Sequence, residues 1–139
     1  MITNAIAKLL CALATATVLA GCGATPSQET PMTSSATLLP QRTVDLAPGT
    51  TLRYDGAADS RCPPDVQCIT AGEINYQFTL TGAAGTESFN LSKARPAFDA
   101  STYKGVRVTL GPTEEPPLRP STASKPVILT PVTVNITRP

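Results

Sequence analysis

The stretch that decides the fold is Glu73-Ile74-Asn75-Tyr76-Gln77-Phe78-Thr79-Leu80. Every second position in it is apolar, and polar residues fill the positions between. Side chains of a strand point alternately to the two faces of a sheet, so this period of two indicates a half-buried β-strand. We therefore predict a strand here, with Ile74, Tyr76, Phe78 and Leu80 facing the core.

Weaker strand patterns lie on both sides of this stretch. Residues 42–55 alternate around the turn dipeptide Pro48-Gly49 and predict a hairpin, and residues 86–91 predict a returning strand after the Gly-containing loop 81–85. Further downstream, the pattern predicts strands at 102–110 and 126–137, with irregular chain at 92–101 and 111–125.

No segment after residue 41 has a helical period, so the fold class we predict is all-β. We expect a single domain at 42–139, a small antiparallel β-sandwich or open barrel of about six or seven strands with one disulfide.

The composition excludes several classes of function. The chain has 139 residues, no histidine and a formal net charge of +1. Without an imidazole, the commonest general base and zinc ligand are missing, and no basic patch is dense enough for nucleic acid. The carboxylates Asp55, Asp59, Asp65 and Glu73 lack the spacing of a calcium loop. We therefore predict no enzyme activity, no metal, no cofactor and no nucleic-acid partner.

The N-terminus has the pattern of an export signal. One positive charge precedes the apolar run 9–20, which is too short to span a membrane and ends in Leu19-Ala20-Gly21-Cys22. This ending resembles the lipobox of bacterial lipoproteins. The resemblance implies that residues 1–21 are removed as a signal peptide and that Cys22 carries lipid, including palmitate. The alternative is an ordinary signal peptide with a chance cysteine.

The lipobox resemblance also implies a location. It places the protein in the bacterial cell envelope, held to the membrane through the lipid on Cys22. Gly23 follows the cysteine where an Asp would favour the inner membrane, so in a Gram-negative host we expect the outer membrane. Residues 22–41 are rich in small polar residues and proline, and we predict that they form a disordered tether.

Two cysteines remain for the domain once cleavage removes Cys11 and lipid occupies Cys22. Export places Cys62 and Cys68 in an oxidising compartment, and we predict that they form a disulfide. Closing so short a loop stabilises the fold by about 2–2.5 kcal/mol in the chain-entropy model. The alternative, a metal held by two thiolates, lacks further cysteine or histidine ligands.

The ring between these cysteines is stiffened by Pro63-Pro64, and Asp65 follows as a potential turn cap. Two interpretations stay open. The ring is either a clasp that supports the strand after it, which we favour, or a rigid surface for a partner. For the second interpretation the candidate contact residues are Arg61, Pro63, Pro64 and Asp65.

The stretch 61–72 resembles a signature of small exported bacterial proteins, many known only as hypothetical lipoproteins. Their pattern is Arg-Cys-Pro-x-x-Val-x-Cys-(Val/Ile)-Trp-Ala-Gly, and this chain reads Arg-Cys-Pro-Pro-Asp-Val-Gln-Cys-Ile-Thr-Ala-Gly. The chain departs from the pattern at Thr70, where tryptophan is usual. The resemblance implies a β domain with a disulfide and brings no established activity.

Together these features predict a lipid-anchored bacterial envelope protein with a non-catalytic β domain. Its partners would be the membrane, through Cys22, and an envelope protein that the domain contacts or helps to organise. The alternative function is a ligand-binding or enzyme-inhibitory module that presents the Cys62–Cys68 ring.

Overall fold

A computed structural model describes residues 31–122 and 130–139. In this part of the chain there are eight β-strands and no helix, and hence no helix that could cross a membrane. The strands are β1 (Met32–Leu38), β2 (Thr43–Ala47), β3 (Thr50–Asp59), β4 (Ile74–Gly82), β5 (Gly85–Leu91), β6 (Ala97–Asp99), β7 (Arg107–Leu110) and β8 (Val132–Arg138).

The strands form two four-stranded sheets in which every pairing is antiparallel. One sheet has the order β1-β8-β7-β6 and the other β2-β3-β4-β5. Strands that follow one another within a sheet are neighbours, and β1 is joined to the last strand, β8. The prediction of a small antiparallel β-sandwich with one disulfide is confirmed, with eight strands in place of six or seven.

The core lies between the sheets and follows the period of two in β4. All four apolar residues of that strand are buried, as predicted. Aromatic rings continue from them: the centroids of Tyr54 and Phe78 are 5.3 Å apart, and those of Phe89 and Phe98 are 3.9 Å apart. Because β5 carries Phe89 and β6 carries Phe98, this last pair joins the edges of the two sheets. Such pairs add to the stabilisation from buried area.

Strand β1 corrects the predicted boundary of the domain. The prediction of a disordered tether through residue 41 is wrong for Met32–Leu38, which pairs along its whole length with β8. Its inward positions are Ser34, Ala36 and Leu38, two of them small, so the sequence shows no apolar alternation. Pairing with β8 satisfies the backbone groups of β1 that face it, even though the side chains of β1 bury little area.

The segment 97–110 corrects a second prediction. Strand β7 is shorter than the predicted strand 102–110, and β6 lies in chain that we predicted to be irregular. Residues 100–106 form a turn, in which the Ala100 amide donates to the Val106 carbonyl at 2.9 Å. Gly105 has a φ of 85°, a conformation that glycine adopts without strain.

The last predicted strand, 126–137, corresponds to β8. Its predicted apolar face is confirmed, because Val132, Val134 and Ile136 are all buried. The first four residues of that prediction, 126–129, lie outside the described residues.

The sandwich has two ends, which the strand registers define. The Met32 end holds the start of β1, the turns 48–49 and 83–84, the connection 100–106 and the C-terminal residues of β8. The ring end holds the connections 39–42, 60–73 and 92–96 and the described part of 111–131. Tyr103 donates to the Gly85 carbonyl at 2.6 Å and Arg138 donates to the Leu46 carbonyl, so both sheets are joined at the Met32 end.

Candidate functional site

The disulfide ring lies in the connection 60–73, which joins the two central strands of one sheet, β3 and β4. Backbone hydrogen bonds continue the hairpin into this connection: the Ser60 amide donates to the Glu73 carbonyl at 3.0 Å, and the Cys62 amide to the Ala71 carbonyl at 2.8 Å. Gly72 has a φ of 67°, and a Cβ there would overlap the Ser60 carbonyl. The backbone therefore requires glycine at this position.

The predicted disulfide is confirmed between Cys62 and Cys68, whose Cα atoms are 5.9 Å apart. Inside the ring, the Val66 amide approaches the Pro63 carbonyl at 3.5 Å, the contact of a four-residue turn. The ring therefore holds a turn, and residues 64–72 of the connection are all exposed.

The sequence offers Arg61 as a candidate contact to a partner, but in the structure its guanidinium pairs with groups of the same chain. Its guanidinium donates to both carboxylate oxygens of Asp59, at 2.9 and 2.7 Å, in a bidentate pair. It also donates to Glu115 at 3.3 Å and to the Pro116 carbonyl at 2.8 Å. Because only 15% of the side chain is exposed, Arg61 positions the loop and offers little surface to another molecule.

The ion pair with Arg61 also changes the pKa of the Asp59 carboxyl group. The side-chain hydrogen bond from Arg61 lowers the pKa of Asp59, and burial opposes this effect in part. Lys93 adds a second cation, because its amino group lies 2.7 Å from the other oxygen of Glu115. These charges are therefore partnered inside the molecule, and the pairs fix where the connections of the ring end lie.

Asp65 was the other charged candidate, and it too has a partner within the chain. Its carboxylate accepts hydrogen bonds from the Ser121 hydroxyl at 2.6 Å and from the Ser121 amide at 2.8 Å. The hydroxyl bond is the main cause that lowers the pKa of Asp65. We expected Asp65 to cap the turn after the ring; the structure instead uses it to hold a distant segment.

Residues 116–121 thus form a strap that is fixed to the ring loop at both ends. Arg61 binds the Pro116 carbonyl, and Asp65 binds Ser121. No pattern in the sequence predicts this strap directly. The signal available was indirect: prolines at 116, 117 and 120 exclude a helix and a central strand, so the segment has to lie over other elements.

The surface formed by the ring loop and the strap is apolar at several points. Ile69 is 105% exposed relative to a reference residue, and Val66 and Leu118 are exposed at 44% and 48%. Of the candidate contact residues, Pro64 is exposed and Pro63 is half-buried. Thr70, which stands where the resembled signature has tryptophan, is also exposed, so it packs no core in this chain.

The described side chains of the ring end decide which chemistry this end can offer. Among the described residues no group of three acidic, cysteine or histidine side chains could hold a metal ion. An open groove of about 430 Å³ lies beside the strap, lined by prolines, threonines and the acidic pair Glu114-Glu115. The side chains around it provide neither a nucleophile with a base nor a set of ligands for a metal.

Comparison of the chain with protein-family models, with curated proteins and with solved structures finds no match. The interpretation of the site therefore depends on its geometry.

Proposed function

We propose that the protein is a lipid-anchored envelope protein of bacteria, and that its non-catalytic β domain contacts another envelope protein through the ring end. The observation that carries this proposal is the placement of the two ends. Met32, where the chain from Cys22 joins the domain, lies at the end opposite the ring.

The length of the chain between lipid and domain limits how far the Met32 end can lie from the bilayer. Only residues 23–31 separate Cys22 from β1, and such a segment reaches at most about 35 Å when fully extended. Strand β3 alone has ten residues, or about 33 Å of rise. A lipid on Cys22 would therefore hold the Met32 end within about 35 Å of the bilayer, and because the attachment is at that end, we infer that the ring end faces away from it.

The alternative function, an enzyme-inhibitory ring, has less support. An inhibitory loop that imitates a substrate needs extended backbone, and the turn between Pro63 and Val66 occupies the ring instead.

Mass spectrometry of the mature protein from a bacterial host tests the anchor. We expect the chain to begin at Cys22 and to carry acyl chains, and Cys22→Ser to remove the lipid mass and release the protein from the membrane fraction. A mature chain that starts elsewhere, or a Cys22→Ser protein that stays in the membrane, would contradict the proposal.

A further inference from the structure

The two sheets have four edge strands, β1 and β6 in one sheet and β2 and β5 in the other. The outer side of an edge strand carries backbone amides and carbonyls that can pair with a strand of another molecule. Two of the four edges are protected by their own sequence. Strand β6 has only three residues, and β2 has a shift of register between Asp45 and Ala47 and an exposed charge on Asp45. Features of this kind hinder pairing between edges.

Strand β5 is protected by a neighbouring connection. The carboxylate of Glu87 accepts hydrogen bonds from the Ser101 hydroxyl at 2.7 Å and from the Thr102 amide at 3.2 Å. The carbonyl of Gly85 accepts a further bond from Tyr103. The connection 100–106 is therefore held against β5 and hinders the approach of another strand.

Strand β1 has none of these protections. All seven of its residues pair with β8 without a shift of register, and none of them is charged or proline. It is the last strand of its sheet, and no strand in the described part of the chain pairs with its other side. Its outward side chains, Thr33, Ser35 and Thr37, are exposed, short and uncharged. The edge is therefore open to a strand whose side chains match.

The sequence of β1 reads nearly the same in both directions about Ser35. The side chains at its two ends are large and apolar, the next on each side are threonines, and the central ones are small. An antiparallel partner runs in the opposite direction, so a second β1 placed about a twofold axis at Ser35 meets its own kind at each position. The residues that would lie opposite one another are Met32 and Leu38, Thr33 and Thr37, and Ser34 and Ala36.

The chemistry of the outer face suits this pairing. Hydroxyl groups already bond across β1 and β8, from Thr33 to Thr137 at 3.2 Å and from Thr37 to Thr133 at 2.9 Å. In a pair of β1 strands, Thr33 of one copy would lie opposite Thr37 of the other, and cross-strand threonine pairs stabilise a sheet. The one charged residue of β1 and β8 is Arg138, which donates to β2 of its own chain. No like charges therefore oppose each other at the twofold axis.

We propose that two copies of the chain pair through β1 in antiparallel orientation, centred on Ser35, and so join two four-stranded sheets into one. This inference goes beyond the proposed function, because it adds a second copy as a partner at a surface separate from the ring end. Antiparallel pairing inverts one copy, so the two ring ends point in opposite directions. With each ring end facing away from its own bilayer, the two copies belong to facing bilayers; this last step rests on the proposed function.

The first experiment is analytical ultracentrifugation of the mature lipidated protein in density-matched detergent. We expect a monomer–dimer equilibrium that Ser35→Lys weakens by about tenfold or more, because two ammonium groups would lie opposite each other at the axis. Ser35→Asp should weaken it in the same way, and mixing the two variants should restore dimers. The matched control Ser88→Lys changes an exposed serine on the edge strand β5 and should alter the equilibrium by about twofold at most.

The second experiment uses phosphatidylethanolamine–phosphatidylglycerol vesicles that carry the lipidated protein, observed by light scattering. Wild-type vesicles should cluster. Vesicles with Ser35→Lys and vesicles with Ser35→Asp should each stay dispersed alone and should cluster when the two populations are mixed. Clustering of the mixture requires pairing between bilayers, because neither population contains both variants.

Three outcomes would overturn the inference. A protein that stays monomeric at every concentration would exclude the pair. Dimers that Ser35→Lys leaves intact would assign the contact to a surface other than β1. Dimers in detergent without clustering of vesicles would contradict pairing between facing bilayers. The mass of the Cys22 peptide, measured on the same samples, separates these results from a failure of the proposed anchor, since an unlipidated chain would still show the dimer in the ultracentrifuge.

Discussion

The two ends of the sandwich are built differently. At the Met32 end the turns 48–49 and 83–84 have only two residues each, and side chains such as Arg138 and Tyr103 bind the backbone of the neighbouring sheet. At the ring end two of the four connections, 60–73 and 111–131, are much longer than any at the Met32 end, and they are held by a disulfide and by ion pairs.

This difference indicates that one end of the sandwich mainly stabilises the fold, whereas the other end holds exposed side chains in a fixed position. The two short turns leave little chain that could carry a binding surface, and the connection 100–106 is tied to the neighbouring sheet through Tyr103, so the Met32 end mainly closes the fold. Long connections expose backbone and side chains, and each needs its own support to stay in one conformation. The bonds from Arg61 and Asp65 give that support, and they leave Ile69 exposed.

The largest expected effect concerns β1, which belongs to the fold and not to the tether. A mature chain shortened to begin at Arg42 would remove the strand that pairs with β8 and expose the edge of its sheet. We expect it to lose cooperative thermal unfolding, measured by circular dichroism, while a chain that begins at Met32 keeps it. Equal melting temperatures for the two chains would show that β1 is dispensable.

The next effect concerns the disulfide at the ring end. Replacing both cysteines, Cys62→Ser with Cys68→Ser, should lower the free energy of unfolding by about 2 kcal/mol in the chain-entropy model, measured by urea denaturation. The matched change at the exposed tip, Ile69→Asp, should alter it by less than about 0.5 kcal/mol. A large loss of stability from Ile69→Asp would mean that Ile69 supports the fold. The exposed tip of the ring end would then contribute to stability, contrary to the comparison of the two ends.

A smaller effect concerns Tyr54, in the core away from both ends. Its hydroxyl is buried without a hydrogen-bond partner among the described residues, so Tyr54→Phe should stabilise the fold by about 1 kcal/mol. Burial, with a smaller contribution from Tyr76, raises the pKa of Tyr54 to about 12. The unfolded chain titrates near pH 10, so stability from this group is present below about pH 10 and lost as the pH rises toward 12.

Denaturation of the wild type and Tyr54→Phe at pH 8 and pH 11 checks both expectations. The variant should be the more stable at pH 8, and its advantage should grow at pH 11. A less stable variant at pH 8 would mean that the hydroxyl makes a favourable contact.

The smallest effect is the response to acid. Hydrogen bonds from Arg61, Ser121 and Ser101 lower the pKa values of Asp59, Asp65 and Glu87. A lowered pKa means that the folded state binds fewer protons, so this stability is present above about pH 4 and is lost as the pH falls below it.

Asp65 is exposed, and Asp59 and Glu87 are partly open to solvent, so solvent screens the effect and each contribution is small. Asp65→Asn at the ring end and Glu87→Gln near the Met32 end should each flatten the loss of melting temperature between pH 5 and pH 3. If the melting temperature of both variants falls between pH 5 and pH 3 as steeply as that of the wild type, these hydrogen bonds do not lower the pKa values of Asp65 and Glu87.

The sequence predicted the parts of the fold that bury apolar side chains on a period of two. Strands β4, β5 and β8 were recognised because their inward residues are large. Strand β1 was missed because Ser34 and Ala36 carry little apolar signal, and β6 because three residues are too few to show a period.

The candidate site was predicted in part. The cysteine spacing identified the ring, and the arithmetic of the remaining cysteines identified its disulfide. The roles of Arg61 and Asp65 could not be read from the sequence, because Glu115 and Ser121, to which they bind, lie more than fifty residues away. Ile69 was overlooked because nothing local shows whether an apolar loop residue is buried or exposed.

The most direct test of the proposed arrangement is a measurement of distance from the membrane. A fluorescent amino acid would replace Thr70 at the ring end or Lys104 at the Met32 end of the lipidated protein, in vesicles that carry a lipid-bound energy acceptor. The ends are separated by about the length of β3, roughly 33 Å. We expect efficient energy transfer from position 104 and weak transfer from position 70. Equal transfer from both positions, or stronger transfer from position 70, would contradict a ring end that points away from the membrane.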